Sequence, residues 1–139
     1  MSLRPFLAFD AEASEPPAGD DIPAGRELAE KLVEGAGRRG LRVLSPVEIH
    51  ESFGWSFVIA EAGQPAVWCL LQCPDSWLLI TRLQVPLSAR LFGEAIDHET
   101  HRRVCGALHA AALERPEISN VRWFTKRDYQ EGGVAADRP

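Results

Sequence analysis

Lysine is nearly missing from this chain: 13 Arg stand against 2 Lys, a ratio that reads as a G+C-rich coding bias before any choice of function. Cysteine is scarce as well. Cys69, Cys73 and Cys105 form an odd set, two at the ends of one apolar run and one in a predicted helix, which argues against a disulfide framework and for reduced thiols. No run approaches the roughly 20 apolar residues of a membrane span. The first residues, MSLRPFLAFDAE, carry one Arg and an apolar stretch shorter than the h-region of a secretory signal, so the cytoplasm is the expected compartment. Also missing are a G-x-G-x-x-G or Walker loop, a G-x-S-x-G elbow, an HExxH pair, a Cys-x-x-Cys pair and the interleaved aromatic and basic pattern that binds single-stranded nucleic acid. No internal repeat is visible. Enzyme classes built on those loops lose their usual support, and no cofactor is implied.

What is present is a chain of 139 residues, 45% hydrophobic and 25% charged, enough for one good core and too short for two. A single domain over residues 1–130 is expected, followed by a disordered tail, residues 131–139, whose sequence EGGVAADRP has little apolar content. The formal charge of -5 is uneven: residues 1–70 hold 11 acids and 6 bases, residues 71–139 hold 9 of each. An acidic balance argues against nucleic acid or an anionic membrane as partner and leaves room for a basic protein.

Three consecutive runs, FGWSFVIA, AVWCLLQC and SWLLITRLQV, carry Trp55, Trp68 and Trp77. They are rich in aromatic and β-favouring side chains and separated by Gly63-Gln64-Pro65 and Pro74-Asp75, which predicts an antiparallel meander. Residues 3–9 read as a first strand, residues 10–21 as an acidic loop, residues 23–39 as a helix with Leu28, Ala29, Leu32, Val33 and Ala36 on one face, and residues 41–44 as a short strand broken at Ser45-Pro46. Residues 87–93 suggest a short helical turn. Asp97 can cap a longer helix that Pro116 closes near residue 115. Residues 119–125 read as a last strand, with Thr125 and Asp128 opening a brief terminal turn. The expected fold is α+β: a two-layer sandwich in the order β-α-β-β-β-β-α-β, a mostly antiparallel sheet with two long helices on one face.

Alternation in the last tryptophan run places Trp77, Leu79, Thr81 and Leu83 on one side and Leu78, Ile80, Arg82 and Gln84 on the other, which should reach solvent. The acidic loop and that uncovered face together make a candidate partner surface: Asp10, Glu12, Glu15, Asp20 and Asp21 from the loop, Arg82 and Gln84 from the strand, and Trp68 as a large amphipathic anchor. The second candidate is chemical. His98, His101, Cys105 and His109 recur three, four and four residues apart on the second long helix, and imidazole and thiolate are zinc ligands. Val104, Leu108, Ala111 and Ala112 lie around the same direction as His101 and Cys105, which turns those two toward the core. A single straight helix rarely supplies a complete tetrahedral set. Cys69 and Cys73 share strand parity but stand about 13 Å apart along a strand, beyond direct bonding. Asp10 ends an apolar strand as a phosphatase nucleophile does, but Glu12 stands where that pattern wants a second Asp.

The segments Gly54-Trp55-Ser56-Phe57, Trp77-Leu78-Leu79, Arg90-Leu91-Phe92-Gly93 and Val121-Arg122-Trp123-Phe124-Thr125 resemble, in that order, a group of small uncharacterised single-domain bacterial proteins. The resemblance rests on structural residues and carries no catalytic residue to transfer. In size and acidity the chain is also similar to polymorphic-toxin immunity proteins, which implies neutralisation of a toxin by binding it. The leading expectation is therefore a non-enzymatic protein-binding module of the immunity type, with a basic toxin as partner. The alternatives are a small metal-dependent or cysteine/histidine enzyme centred on the second long helix, and a homodimeric scaffold joined through the uncovered sheet face.

Overall fold

Hairpin chemistry and strand alternation account for most of the backbone path. The computed structural model describes residues 3–12, 22–74, 76–85, 91 and 98–139. These form β1 (Phe6–Ala11), α1 (Arg26–Arg38), β2 (Arg42–His50), β3 (Gly54–Ala60), β4 (Val67–Gln72), β5 (Trp77–Leu83), α2 (His98–Leu113), β6 (Ile118–Phe124) and α3 (Lys126–Glu131). The protein is α+β, with one six-stranded antiparallel sheet in the order β2-β3-β4-β5-β1-β6 and two long helices. The turn read at residues 87–93 lies outside the described residues apart from Leu91, and so does the Asp97 cap.

One face of the sheet meets the helices. Trp55, Leu71, Leu79, Leu7 and Trp123 follow one another across five paired strands, and all are buried. They join Leu28, Ala29, Leu32 and Ala36 of α1 and Val104, Cys105, Leu108, Ala111 and Ala112 of α2 in a single apolar cluster. Each large side chain fully buried in this way contributes about 1.5–3 kcal/mol.

Two glycines set how closely the layers approach. Gly25, at the N-cap of α1, has φ 109°, and a Cβ there would stand 2.7 Å from the Trp77 ring. A Cβ on Gly35 would stand 2.6 Å from the Cβ of Ala111, so the two long helices touch where their side chains are smallest. Arg38 and Arg39 of α1 both engage Glu114 just past α2, tying the same ends together.

The sheet's outer strands are interrupted. The sequence predicts that the second strand breaks at Ser45-Pro46, but β2 runs on to His50 with register shifts on either side of Ser45. Proline is tolerated there because β2 is an edge strand, where a missing N–H costs no ladder bond. At the other edge β6 shifts register against β1 between Ala8 and Asp10, and Asn120 has φ 53°. Within residues 131–139, Ala136 exchanges both backbone hydrogen bonds with Trp123, at 2.7 and 2.8 Å. α3 begins where the Thr125 hydroxyl accepts from the Asp128 N–H at 3.0 Å, and it ends at Gly132, φ 71°.

Candidate functional site

The face of the sheet turned away from α1 and α2 carries Val58, Trp68 and Arg82 in one cross-strand row and Ser56, Leu70, Ile80, Phe6 and Phe124 in the next. Leu70 and Leu78 are buried, Trp68, Ile80, Phe6 and Phe124 are half-buried, and Arg82 and Gln84 are exposed. Trp68 and Arg82 are direct partners across β4 and β5, and the Arg82 guanidinium lies 5.9 Å from the Trp68 ring centroid. Trp68 also makes an edge-type contact with His50 at 5.4 Å between centroids, and His50 in turn meets Phe53 at 5.5 Å. Phe53 is 43% exposed, so this line of rings leads from the sheet face out to the β2–β3 turn.

Beside that line is a cavity of about 690 Å³. Its apolar lining includes Phe6, Leu78, Ile80 and Tyr129; Arg82, Lys126 and His98 line it as well. Tyr129 of α3 stands 5.7 Å from both Phe6 and Phe124, ring to ring. The terminal helix thus forms one wall and the sheet another.

Among the described residues, the partner residues read from the sequence are not brought together as one patch. Glu15, Asp20 and Asp21 lie outside the described residues. Phe9 pairs with Trp77, so Asp10 is level with residue 76, six residues before Arg82 and about 20 Å from it along the strand. Asp10 accepts from Asn120 at 3.2 Å and pairs with Arg122 at 3.7 Å. Glu12 is exposed beside it. Trp68, Arg82 and Gln84 share the opposite end of the sheet.

The histidine and cysteine stripe of α2 is distributed among structural bonds. His98 is exposed; His101 and Cys105 are buried and share one hydroxyl, with Thr81 Oγ1 2.8 Å from His101 Nε2 and 3.3 Å from Cys105 Sγ. The Thr81 hydroxyl donates to the Pro5 carbonyl at 2.9 Å. Its only proton is then used, so Nε2–H and S–H are the donors to Oγ1, and the imidazole is the neutral tautomer protonated on Nε2. Burial, and secondarily the charge of His98, lower the His101 pKa to about 4. Burial pushes the Cys105 thiol up to about 12 against the opposing charge of Arg102, and Cys69 is likewise raised by burial. His109 accepts from the Trp123 indole N–H at its Nδ1, 2.9 Å away, and burial lowers its pKa too. Among the described residues no three His, Cys, Asp or Glu side chains converge as a metal site. No helix among them is long and apolar enough to cross a membrane.

Sequence reasoning gives no site role to Thr81, His50 or Tyr129. A signal for Thr81 was present: it is the one hydroxyl in a run of core-facing apolar positions, and a buried hydroxyl implies a partner. Tyr129 gave none, because a six-residue helix folding back over the sheet has too little apolar pattern to announce its docking. No protein-family model, curated protein or solved structure matches this chain.

Proposed function

We propose that the chain is a non-enzymatic protein-binding module of the immunity type, which docks a toxin on the sheet face that carries Trp68 and Arg82. The observation behind this reading is the Trp68–Arg82 pair itself. A half-buried indole in contact with both a guanidinium and an imidazole presents a large apolar surface with little rotamer freedom left to lose, as binding hot spots do. Cys69 and Cys105 do not compete with this reading as nucleophiles: a thiolate is the nucleophile, and burial raises both thiols well away from ionisation. Asp10 and Glu12, at the far end of the sheet, give a basic toxin a second contact of opposite charge.

Affinity capture from native lysate tests the reading, using the wild type and a Trp68→Ala/Arg82→Glu double variant as baits. The expected result is a stoichiometric partner held by the wild type and lost by the variant, whose toxicity in cells is relieved by co-expression of the chain. A strictly monomeric chain that retains no stoichiometric partner would overturn the proposal. Concentration-dependent light scattering that disappears in the double variant would replace it with self-association through the same face.

A further inference from the structure

The cavity beside Trp68 is distinguished by its charge. Most cations among the described residues are ion-paired, for example Arg38 and Arg39 with Glu114, Lys31 and Arg115 with Glu117, Arg103 with Glu61, and Arg26, Arg102, Arg122 and Arg127 with acids near them. Arg82 and Lys126 make no ion pair among the described residues. Both line the cavity, and no Asp or Glu is among the described residues that line it. In a chain of net charge -5, a concave apolar surface rimmed by uncompensated cations departs from the surrounding field.

We infer that this cavity is a binding site for a small carboxylate with an extended apolar body, of the fatty-acid or arylalkanoate class. The volume of about 690 Å³ lies within the roughly 300–1,000 Å³ typical of ligand pockets, which pair an apolar lining with a few polar groups that fix orientation. Phe6, Leu78, Ile80 and the Tyr129 ring would take the hydrocarbon, and Arg82 and Lys126 the head. Trp68 holds the Arg82 guanidinium over the sheet, so little entropy is lost when a carboxylate arrives. A neutral hydrocarbon of the same size would gain nothing from the two cations, and a cationic amphiphile would be repelled by them.

The test is calorimetric titration of the full chain with decanoate below its micelle concentration, alongside 1-decanol and decyltrimethylammonium. The expected result is saturable one-to-one binding of decanoate, about tenfold tighter than decanol, with no binding of the cation. Arg82→Gln and Lys126→Gln, both at exposed positions, should each weaken decanoate about three- to tenfold and leave decanol unchanged. The inference is overturned if decanol or the cation binds as well as decanoate, if the two variants bind decanoate as the wild type does, or if decanoate shows no saturation up to about 1 mM. Vesicles of phosphatidylglycerol form a further arm: association with vesicles and none with monomeric decanoate would assign the cavity to a lipid surface and overturn it too. Lys126 belongs to this site and not to the proposed toxin contact, so a Lys126→Gln chain that loses decanoate and keeps its partner, or keeps decanoate while no partner is captured by the wild type, separates the two readings.

Discussion

Trp68 and Arg82 sit directly opposite each other on β4 and β5, with the guanidinium 5.9 Å from the indole centroid. Such a contact contributes about 0.5–1 kcal/mol at an exposed site, so its removal should be felt in binding before it is felt in folding. Trp68→Ala is expected to reduce partner affinity at least about tenfold while lowering the urea-unfolding free energy by no more than about 1–2 kcal/mol. Equal losses in both measurements would make Trp68 a core residue and nothing more.

The Thr81 hydroxyl joins three elements through the Pro5 carbonyl, His101 and Cys105. Thr81→Val keeps the shape and deletes every one of those side-chain bonds; the Pro5 carbonyl still accepts the backbone N–H of residue 81 at 3.1 Å, but the imidazole N–H is left without a partner. The expected cost is about 1–3 kcal/mol in urea denaturation. Thr81→Ser, which restores the hydroxyl, should recover most of the loss apart from that of the missing methyl.

Folding stability should depend on pH through His101. Its folded pKa is about 4 against an ordinary 6.5, so between these values the unfolded chain binds a proton that the native state refuses. Stability is therefore complete above about pH 6.5 and falls as the pH drops toward 4, by about 3 kcal/mol at most. Glu117 behaves as the usual carboxylate: Arg115, above all, holds it at about 2 against an ordinary 4.5, so its contribution is lost only as the pH falls from 4.5 toward 2. His101→Gln should remove most of the slope of the urea-midpoint profile in the upper window, leaving the part due to His109, whose pKa burial also lowers, and should leave the lower window in place.

Thiol reactivity should divide the cysteines. Cys73 is exposed, whereas Cys69 and Cys105 are buried with thiols raised by that burial. Iodoacetamide at pH 8 is expected to add one label to the native protein, at Cys73, and three in denaturant, read by intact mass. Rapid native labelling at Cys105 would show that α2 opens.

Gly35 packs against Ala111 with no space for a methyl group, as the 2.6 Å approach of a Cβ shows. Gly35→Ala gains helix propensity but forces the two long helices apart, and overpacking of this kind costs about 1–3 kcal/mol. A thermal midpoint raised by the substitution would mean that the helices adjust freely.

Local pattern made the sheet legible, because alternation and turn residues are encoded within a few positions of one another. The side chains of β5 show this: Arg82 and Gln84 reach solvent as parity places them, and Thr81 faces the core with Leu79. Pairings between distant segments were not legible. Nothing near Phe6 specifies that β1 lies between β5 and β6, since that choice depends on burying Leu7 and Phe9 beneath both helices. For the same reason the candidate site was read as one surface, although Asp10 and Arg82 stand at opposite ends of the sheet. Pro46 misled by its usual meaning as a strand breaker, which applies to central strands and not to an edge.

Neither outer strand offers a neighbouring molecule an unbroken ladder. The imino ring of Pro46 and the flanking register shifts spoil one rim, and the bulge near Asn120 together with the Ala136 bridge spoils the other. Two copies therefore have no smooth margin along which to zip together, and the irregular backbone of these rims opposes strand-by-strand growth beside the exposed Val43, Leu44 and Ile49.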